Sequence, residues 1–364
     1  MMQAWKLKRE VSRIIQQLKG IPELFLDSYR QKKLDREVAN GLPYFQGHLP
    51  ALDKIALYLI YQPNGVSGSV IETCRWLVDH GFSPLIVSNA ELNSDDRHEL
   101  EKVSWRTIVR PNFGYDFGGY RDGLTFLRRW QIEPETLLIL NDSIWIPILT
   151  HNAILEDMLE HPADIVGTVL RQRGEIKFLE SYLFCIKGHV LKLAEFQKFW
   201  KKLKLTSNKY YVIRRGERGF SHAMKLAGIK VEALFKFEDA LTRLELSSDQ
   251  FLYKTLSYAS YVDIELAQQG HELLDMKTVE WRKKVLQHIE RTLQKRQLYS
   301  SFPYAAINLY QYPIMKKSRE PISINWRIAY LRAVKNGDLP APSKILRSEI
   351  FENHIKPLRL KIKL

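Results

Sequence analysis

Lys54 to Tyr61 reads KIALYLIY, an unbroken apolar run of the kind expected for a strand buried on both faces. Pro63-Asn64-Gly65 turns the chain, and Ser67 suits a helix N-cap. Val70, Ile71, Cys74, Leu77 and Val78 then recur at helical spacing until Gly81. Ser83 to Ser88 predicts a second strand. Asn93 opens a short helix ending near Val103, and Trp105 to Val109 is a third strand. Gly123 to Trp130 reads as helix, and Thr136 to Leu140 as a fourth strand. Ala163 to Leu170 and Ser181 to Ile186 add two more strands, and Leu191 to Leu203 an amphipathic helix. This alternation predicts an α/β fold, a mainly parallel sheet with helices on both faces. Ligands of such sheets bind beyond the C-terminal ends of the strands.

The flanks differ. Residues 1–40 read as polar helices, stopped by Asn40-Gly41-Leu42-Pro43. After about residue 245 the strand signal fades, and Thr278 to Gln297 is a strongly basic helix. The expected organisation is a helical extension over 1–48, an α/β domain over 49–245 and a basic, mainly helical region over 246–364.

Composition narrows the class. The 364 residues are 45% hydrophobic and 26% charged, which excludes a disordered chain. The net charge of +14 is uneven: residues 1–50 carry +4, residues 51–270 carry −1, and residues 271–364 carry +11. The basic end mixes its charge with Tyr299, Phe302, Tyr304, Leu309, Tyr310 and Tyr312 and closes on HIKPLRLKIKL, a pattern suited to an anionic interfacial surface. Neither a zinc finger nor an RNP signature accompanies it, which argues against nucleic acid. Two cysteines, Cys74 and Cys185, exclude a disulfide framework and a Cys-based zinc site and suit a reducing cytoplasm. No apolar run approaches the ~20 residues of a membrane span. The first twenty residues lack the apolar core of a secretory signal.

Two segments carry chemistry. Arg110 to Leu124, RPNFGYDFGGYRDGL, follows the third strand and opens a helix. Asn112, Asp116, Arg121 and Asp122 could face a ligand there, while Gly114, Gly118, Gly119 and Gly123 would allow close backbone approach or positive φ. A glycine-rich strand-to-helix turn can offer backbone N–H groups to a phosphate. A self-capped turn would use the same residues. The second segment, Leu137 to Ser143, is an apolar strand ending in Asn141-Asp142-Ser143, where one carboxylate can help hold a divalent cation against a diphosphate. An Asx turn is the plainer reading.

Together these segments resemble the rhamnan synthesis protein F family of bacterial polysaccharide biosynthesis. Asn112 through Gly123 is similar to its Asn-x-Gly-x-Asp-x-Gly-x-x-Arg-Asp-Gly hallmark, and Leu140 through Ser143 to its Leu-Asn-Asp-Ser. Glu180 to Phe184 and Gly216 to Ser221 resemble two further, weaker blocks. The resemblance implies a Rossmann-like, GT-A-type glycosyltransferase, probing a nucleotide-sugar donor with Tyr61, Asn89, Asn112, Gly114, Asp116, Gly118, Arg121, Asp122 and Asn141. It implies Asp142 as the metal residue, with Mg²⁺ or Mn²⁺ as a possible cofactor, and Glu217 as general base with Asp239 as rival. Trp145, Ser181 and Tyr182 would meet the acceptor. The expected product is a cell-surface polysaccharide (O-antigen, rhamnan or capsule), built on a lipid-linked acceptor at the inner face of the bacterial membrane, with rhamnose suggested by the family name. An inactive scaffold of the same fold is the alternative.

Overall fold

The computed structural model describes residues 26–173, 176–295 and 298–361. Most of the expected N-terminal extension, and the side chains of the HIKPLRLKIKL segment, lie outside the described residues. The chain forms two compact units. Unit 1 takes Met1–Val66, Leu77–Asn141 and Pro162–Glu232, and unit 2 takes Ser67–Trp76, Asp142–His161 and Ala233–Leu364. Their segments alternate along the sequence.

The strands in chain order are β1 (Tyr44–Gln46), β2 (Lys54–Ile60), β3 (Ser83–Ser88), β4 (Arg106–Val109), β5 (Thr136–Asn141) and β6 (Ile144–Trp145). There follow β7 (Ile165–Gly167), β8 (Leu170–Arg173), β9 (Ile176–Leu179), β10 (Leu183–Lys187), β11 (Val231–Ala233) and β12 (Met315–Lys316). Eight of them make one sheet, in the order β1-β4-β3-β2-β5-β10-β7-β11. The middle four, β4-β3-β2-β5, are parallel. β1 runs antiparallel to β4, and β10 antiparallel to both β5 and β7. The sheet is therefore parallel at its centre and antiparallel toward its margins. Every residue of β3, and β2 from Ile55 on, is buried, so these strands read as continuous apolar runs rather than alternating ones.

The first helices in chain order are α1 (residues 26–40), α3 (Ser94–Glu101) and α4 (Tyr115–Arg129) of unit 1, and α2 (Gly68–Asp79), whose residues up to Trp76 belong to unit 2. α4 starts eight residues before the expected Gly123. Gly114 precedes it with φ 83°, a left-handed conformation that suits glycine. The later glycines serve packing. A Cβ on Gly119 would lie 2.3 Å from Leu59 Cδ1, and one on Gly123 2.6 Å from Leu57 Cδ1. The two glycines are four residues apart and share a helix face, so α4 can rest closely on β2. That contact offsets the helix penalty of ~1 kcal/mol per glycine. The expected helix over Leu191 to Leu203 divides at Leu193, whose backbone is extended, into Gly188–Lys192 and Ala194–Lys202.

Unit 2 is mainly helical. β6 and β12 pair antiparallel, Trp145 opposite Met315 and Ile144 opposite Lys316. One core gathers Trp145, Ile148, Leu149, Tyr258, Trp326 and Tyr330, among others, and a second gathers Leu252, Leu256, Val285, Ile289 and Phe302. The basic helix spans Trp281–Lys295. It buries Val285, Ile289 and Leu293 at helical spacing and leaves Lys283 and Lys284 exposed. Among the described residues, no helix is long and apolar enough to cross a membrane.

Candidate active site

The four parallel strands of unit 1 end level. Ile60 pairs with Ser88, Ser88 with Val109, and Leu59 with Asn141. Polar residues begin there: Asn89 after β3, Arg110 after β4, and Asn141 at the tip of β5. All three are buried.

Arg110 organises the first cluster. Its Nε donates to Asp122 Oδ2 at 2.7 Å, Nη1 to Asn89 Oδ1 at 2.5 Å, and Nη2 to the Phe113 carbonyl at 2.7 Å. Burial pushes the guanidinium pKa down, and the Asp122 charge opposes that. Arg121 takes the other oxygen of Asp122 through Nε and Nη2, at 3.1 and 3.0 Å, and pairs with Asp35 of α1 at 2.9 Å. Asp122 is fully buried between two arginines, so its charge is compensated and its place is beneath the site surface. Gly118 belongs to the same construction, since a Cβ there would lie 2.3 Å from the Phe113 carbonyl oxygen.

A second cluster links predicted residues that lie far apart in sequence. Asn141 Nδ2 donates to Asp116 Oδ2 at 3.1 Å and approaches Tyr120 Oη at 3.0 Å. Tyr120 Oη donates to the Ser181 carbonyl at 2.8 Å, and Ser181 Oγ donates to Glu217 Oε1 at 2.7 Å. Asp116, in the first turn of α4, and Glu217 therefore stand on one hydrogen-bonded series. Glu217 lies in a π-helical turn, Arg214–Arg218, the kind of local widening often found at functional sites. Gly216 allows it. A Cβ there would meet Phe117 Cδ2 at 2.4 Å, so only glycine lets the turn seat on α4. Both carboxylates are partly exposed, which keeps them open to a ligand.

The remaining predicted residues fall elsewhere. Asn112 and Tyr61 are exposed in unit 1, and Gly114 is the buried cap of α4. Tyr182 is buried, its hydroxyl accepting from Thr168 Oγ1 at 2.7 Å. Asp142, Trp145 and Asp239 belong to unit 2. Trp145 is fully buried and its Nε1 donates to Glu349 Oε2 at 2.9 Å. Asp239, in the first turn of Phe237–Glu245, is held by Arg243 at 3.0 Å and by the Tyr310 hydroxyl at 2.8 Å. Arg110 and Tyr120 were not among the predicted residues. Arg110 carried a signal, a cation directly after a parallel strand, whereas Tyr120 looked like one more aromatic among glycines.

Within unit 2, Asp142 shares its surroundings with a cation. Lys317 continues β12, and its backbone N–H donates to the Ser143 carbonyl at 2.8 Å. Its Nζ donates to Ser69 Oγ at 3.0 Å and stands 5.6 Å from the Trp145 ring centroid. Burial pushes the Lys317 pKa below the ordinary lysine value, and the charges of Asp142 and Glu349 oppose that. Among the described residues, no three His, Cys, Asp or Glu side chains gather as metal ligands. Asp142 therefore offers one carboxylate whose charge acts on this ammonium, and Mg²⁺ is commonly held by one or two carboxylates together with substrate phosphates.

A parallel centre with its polar residues collected at the C-terminal strand ends defines an α/β protein of Rossmann-like design. Residues 85–262 match the model of the family described as rhamnan synthesis protein F, RgpF. The chain is 33% identical over 239 residues to the uncharacterized protein y4gN of Sinorhizobium fredii, covering 65% of this chain and 62% of that one. It thus spans less than two thirds of that curated relative. Among solved structures, it is similar to the glycosyltransferase GlyE of Streptococcus pneumoniae, at TM-score 0.34 and 11% identity over 80% of this chain and 66% of that one. It is also similar to the mannosyltransferase PcManGT of Pyrobaculum calidifontis, solved with GDP-Man and Mn²⁺, at TM-score 0.30 and 11% identity over 95% and 97% of the two chains. The fold class follows from the strand order of unit 1 and not from these likenesses.

Proposed function

We propose that the protein is a glycosyltransferase, moving a sugar from a nucleotide-sugar donor to a hydroxyl of a cell-surface polysaccharide or its lipid-linked precursor. The observation that supports this most is the series Asp116–Asn141–Tyr120–Ser181–Glu217 at the C-terminal edge of the parallel strands. The description of the matched family supports the polysaccharide context.

In this reading Glu217 is the general base of an inverting transfer. Ser181 fixes one carboxylate oxygen, so the carboxylate is oriented before the acceptor arrives. The acceptor hydroxyl gives its proton to Glu217 as its oxygen bonds to the anomeric carbon. The bond from that carbon to the phosphate oxygen breaks, and the nucleoside diphosphate leaves with the electron pair. Asp116 and Asn141 would meet donor hydroxyls, with the exposed Asn112 and Tyr61 at the outer edge of the donor site. Arg110, Arg121 and Asp122 hold α4 against the strand ends. Asp239 is the poorer base, since Arg243 and Tyr310 already engage its Oδ2. The basic C-terminal region would draw the protein to an anionic membrane surface, at ~1 kcal/mol per basic residue near it.

Thermal unfolding with UDP, GDP, dTDP and CDP, followed by transfer assays with the matching sugars, tests the reading. One nucleotide should stabilise the protein, by ~2.7 kcal/mol at ~100 times its Kd. Glu217→Gln should keep that stabilisation and lose ~10²–10⁴-fold in turnover, while Asp239→Asn stays near wild type. Absence of both nucleotide binding and nucleoside diphosphate release would remove the assignment.

A further inference from the structure

Between Phe196 and Gly216 the chain carries seven basic residues and no acidic one: Lys198, Lys201, Lys202, Lys204, Lys209, Arg214 and Arg215. The run belongs to unit 1 and lies inside residues 51–270, whose net charge is −1. All but Arg215 are exposed, and among the described residues no carboxylate pairs with any of the seven. The fold gathers them. Lys198, Lys201 and Lys202 share one face of the helix Ala194–Lys202, whose Phe196 and Trp200 are buried. Arg215 reaches back toward them. Its Nη1 donates to the Lys204 carbonyl at 3.5 Å, and its guanidinium stands 5.0 Å from the Tyr211 ring centroid. The helix Lys209–Ile213 buries none of its residues, and its Tyr210 and Tyr211 rings lie 5.7 Å apart. α1 is strapped to the same run. Asp27 accepts from Thr206 Oγ1 at 2.6 Å and from the Ser207 N–H at 3.1 Å. Gln31 donates to the Leu203 carbonyl at 3.1 Å and accepts from the Leu205 N–H at 3.0 Å. The bonding leaves Leu26, Tyr29, Arg30 and Lys33 exposed at helical spacing, Leu26 by 51% and Tyr29 by 71%.

We propose that this face of unit 1 docks on an anionic phospholipid surface, an inference that goes beyond the transferase reading and does not rest on it. Cations without counter-charges attract anionic headgroups, and the attraction is felt within a Debye length, ~8 Å at physiological salt. The apolar residues beside them favour lipid over nucleic acid. A tyrosine ring with its polar tip suits the headgroup level, and Leu26 suits the acyl boundary beneath it. Arg214, Arg215 and Glu217 share one π-helical turn. On the transferase reading, docking would therefore hold the candidate base beside a lipid-linked acceptor.

Sedimentation of the full chain with vesicles tests it without any turnover. The protein should bind vesicles of phosphatidylglycerol mixed with phosphatidylcholine, bind phosphatidylcholine alone far less, and lose affinity steeply as salt rises. Each basic residue removed should weaken binding ~5-fold. The variant combining Lys198→Gln, Lys201→Gln, Lys202→Gln and Lys209→Gln should therefore lose on the order of 10²–10³-fold. If that variant folds poorly, Lys201→Gln with Lys202→Gln should still lose about 25-fold. Leu26→Ser with Tyr29→Ser should lose roughly 10-fold and leave the salt dependence unchanged. Lys283→Gln with Lys284→Gln, on the basic helix of unit 2, should change binding little. A fourfold variant that binds as tightly as the wild type would overturn the proposal, as would vesicle binding lost through Lys283 and Lys284 instead. Duplex DNA bound as tightly as the vesicles, with no effect of Leu26→Ser and Tyr29→Ser, would overturn it in favour of a general polyanion site. Absence of vesicle binding in a protein that a nucleotide still stabilises would remove the docking face and leave the transferase intact. Vesicle binding through these lysines, with no transfer from any donor, would count for the docking face and against the transferase reading.

Discussion

Arg110 of unit 1 and Arg327 of unit 2 are both deeply buried, and the two are treated in opposite ways. Arg110 of unit 1 donates from Nε, Nη1 and Nη2 to a carboxylate, an amide and a carbonyl. Arg327 of unit 2 is fully buried, donates from Nη1 to the Lys316 and Ser318 carbonyls, and leaves Nε and Nη2 without a partner. Burial pushes its pKa down to about 10. In the same unit, His288 Nδ1 and Ser301 Oγ are also buried and unpartnered. The contrast teaches that burial by itself says little about what a charge does. In unit 1 the charges are closed on one another and fix the site's geometry. In unit 2 the Arg327 charge is tolerated at a cost.

The sharpest way to break this comparison is Asp122→Ala. It strands Arg110 without a counter-charge, and urea unfolding should show a loss of ~3–5 kcal/mol. A loss below ~1 kcal/mol would mean that Arg110 finds water in the variant and that the closed network is not what holds α4. Next comes acid sensitivity. Burial lowers the His288 pKa from 6.5 to about 4, while its Nε2 meets Tyr261 Oη at 2.8 Å. The unfolded chain therefore takes the proton first. Stability should be full above pH 6.5 and fall as pH drops toward 4, by at most ~3 kcal/mol from this group. His288→Gln should flatten that slope, and an unchanged slope would place the acid sensitivity in other groups. The smallest effect is expected for Arg327→Met. It gives up two hydrogen bonds but also removes two orphaned donors and a buried charge, so stability should stay within ~1 kcal/mol of wild type. A large loss would show that Arg327 is worth more than its visible partners.

Sequence patterning revealed what is local. β2, β3 and β5 are apolar runs between turn residues, and each stands within a residue of its expected ends. Short strands were not legible. β1, β6, β11 and β12 have two or three residues each, too few to show a period, and they exist because a neighbour pairs with them. The start of α4 was misplaced because four glycines in ten residues argue against helix, and only the contact with Leu57 and Leu59 explains them. The site was legible in part. Asp116, Asn141, Ser181 and Glu217 were singled out from separate motifs, but their series depends on Tyr120, which no local pattern distinguishes. Lys317 was invisible for the same reason: 175 residues separate it from Asp142, and only pairing of two-residue strands brings it near.

The alternation of the two units along the chain sets a timetable for synthesis. Trp145, Ile148 and Leu149 leave the ribosome early, yet the core they enter also needs Trp326, Tyr330, Leu346 and Ile350. At ~5–20 residues per second, some 200 residues of waiting lasts ~10–40 s, with a large apolar surface uncovered throughout. A chain that stops near residue 245 would therefore not be a smaller version of the protein. It would be a nascent intermediate held permanently, with Trp145 still seeking a core that is never translated.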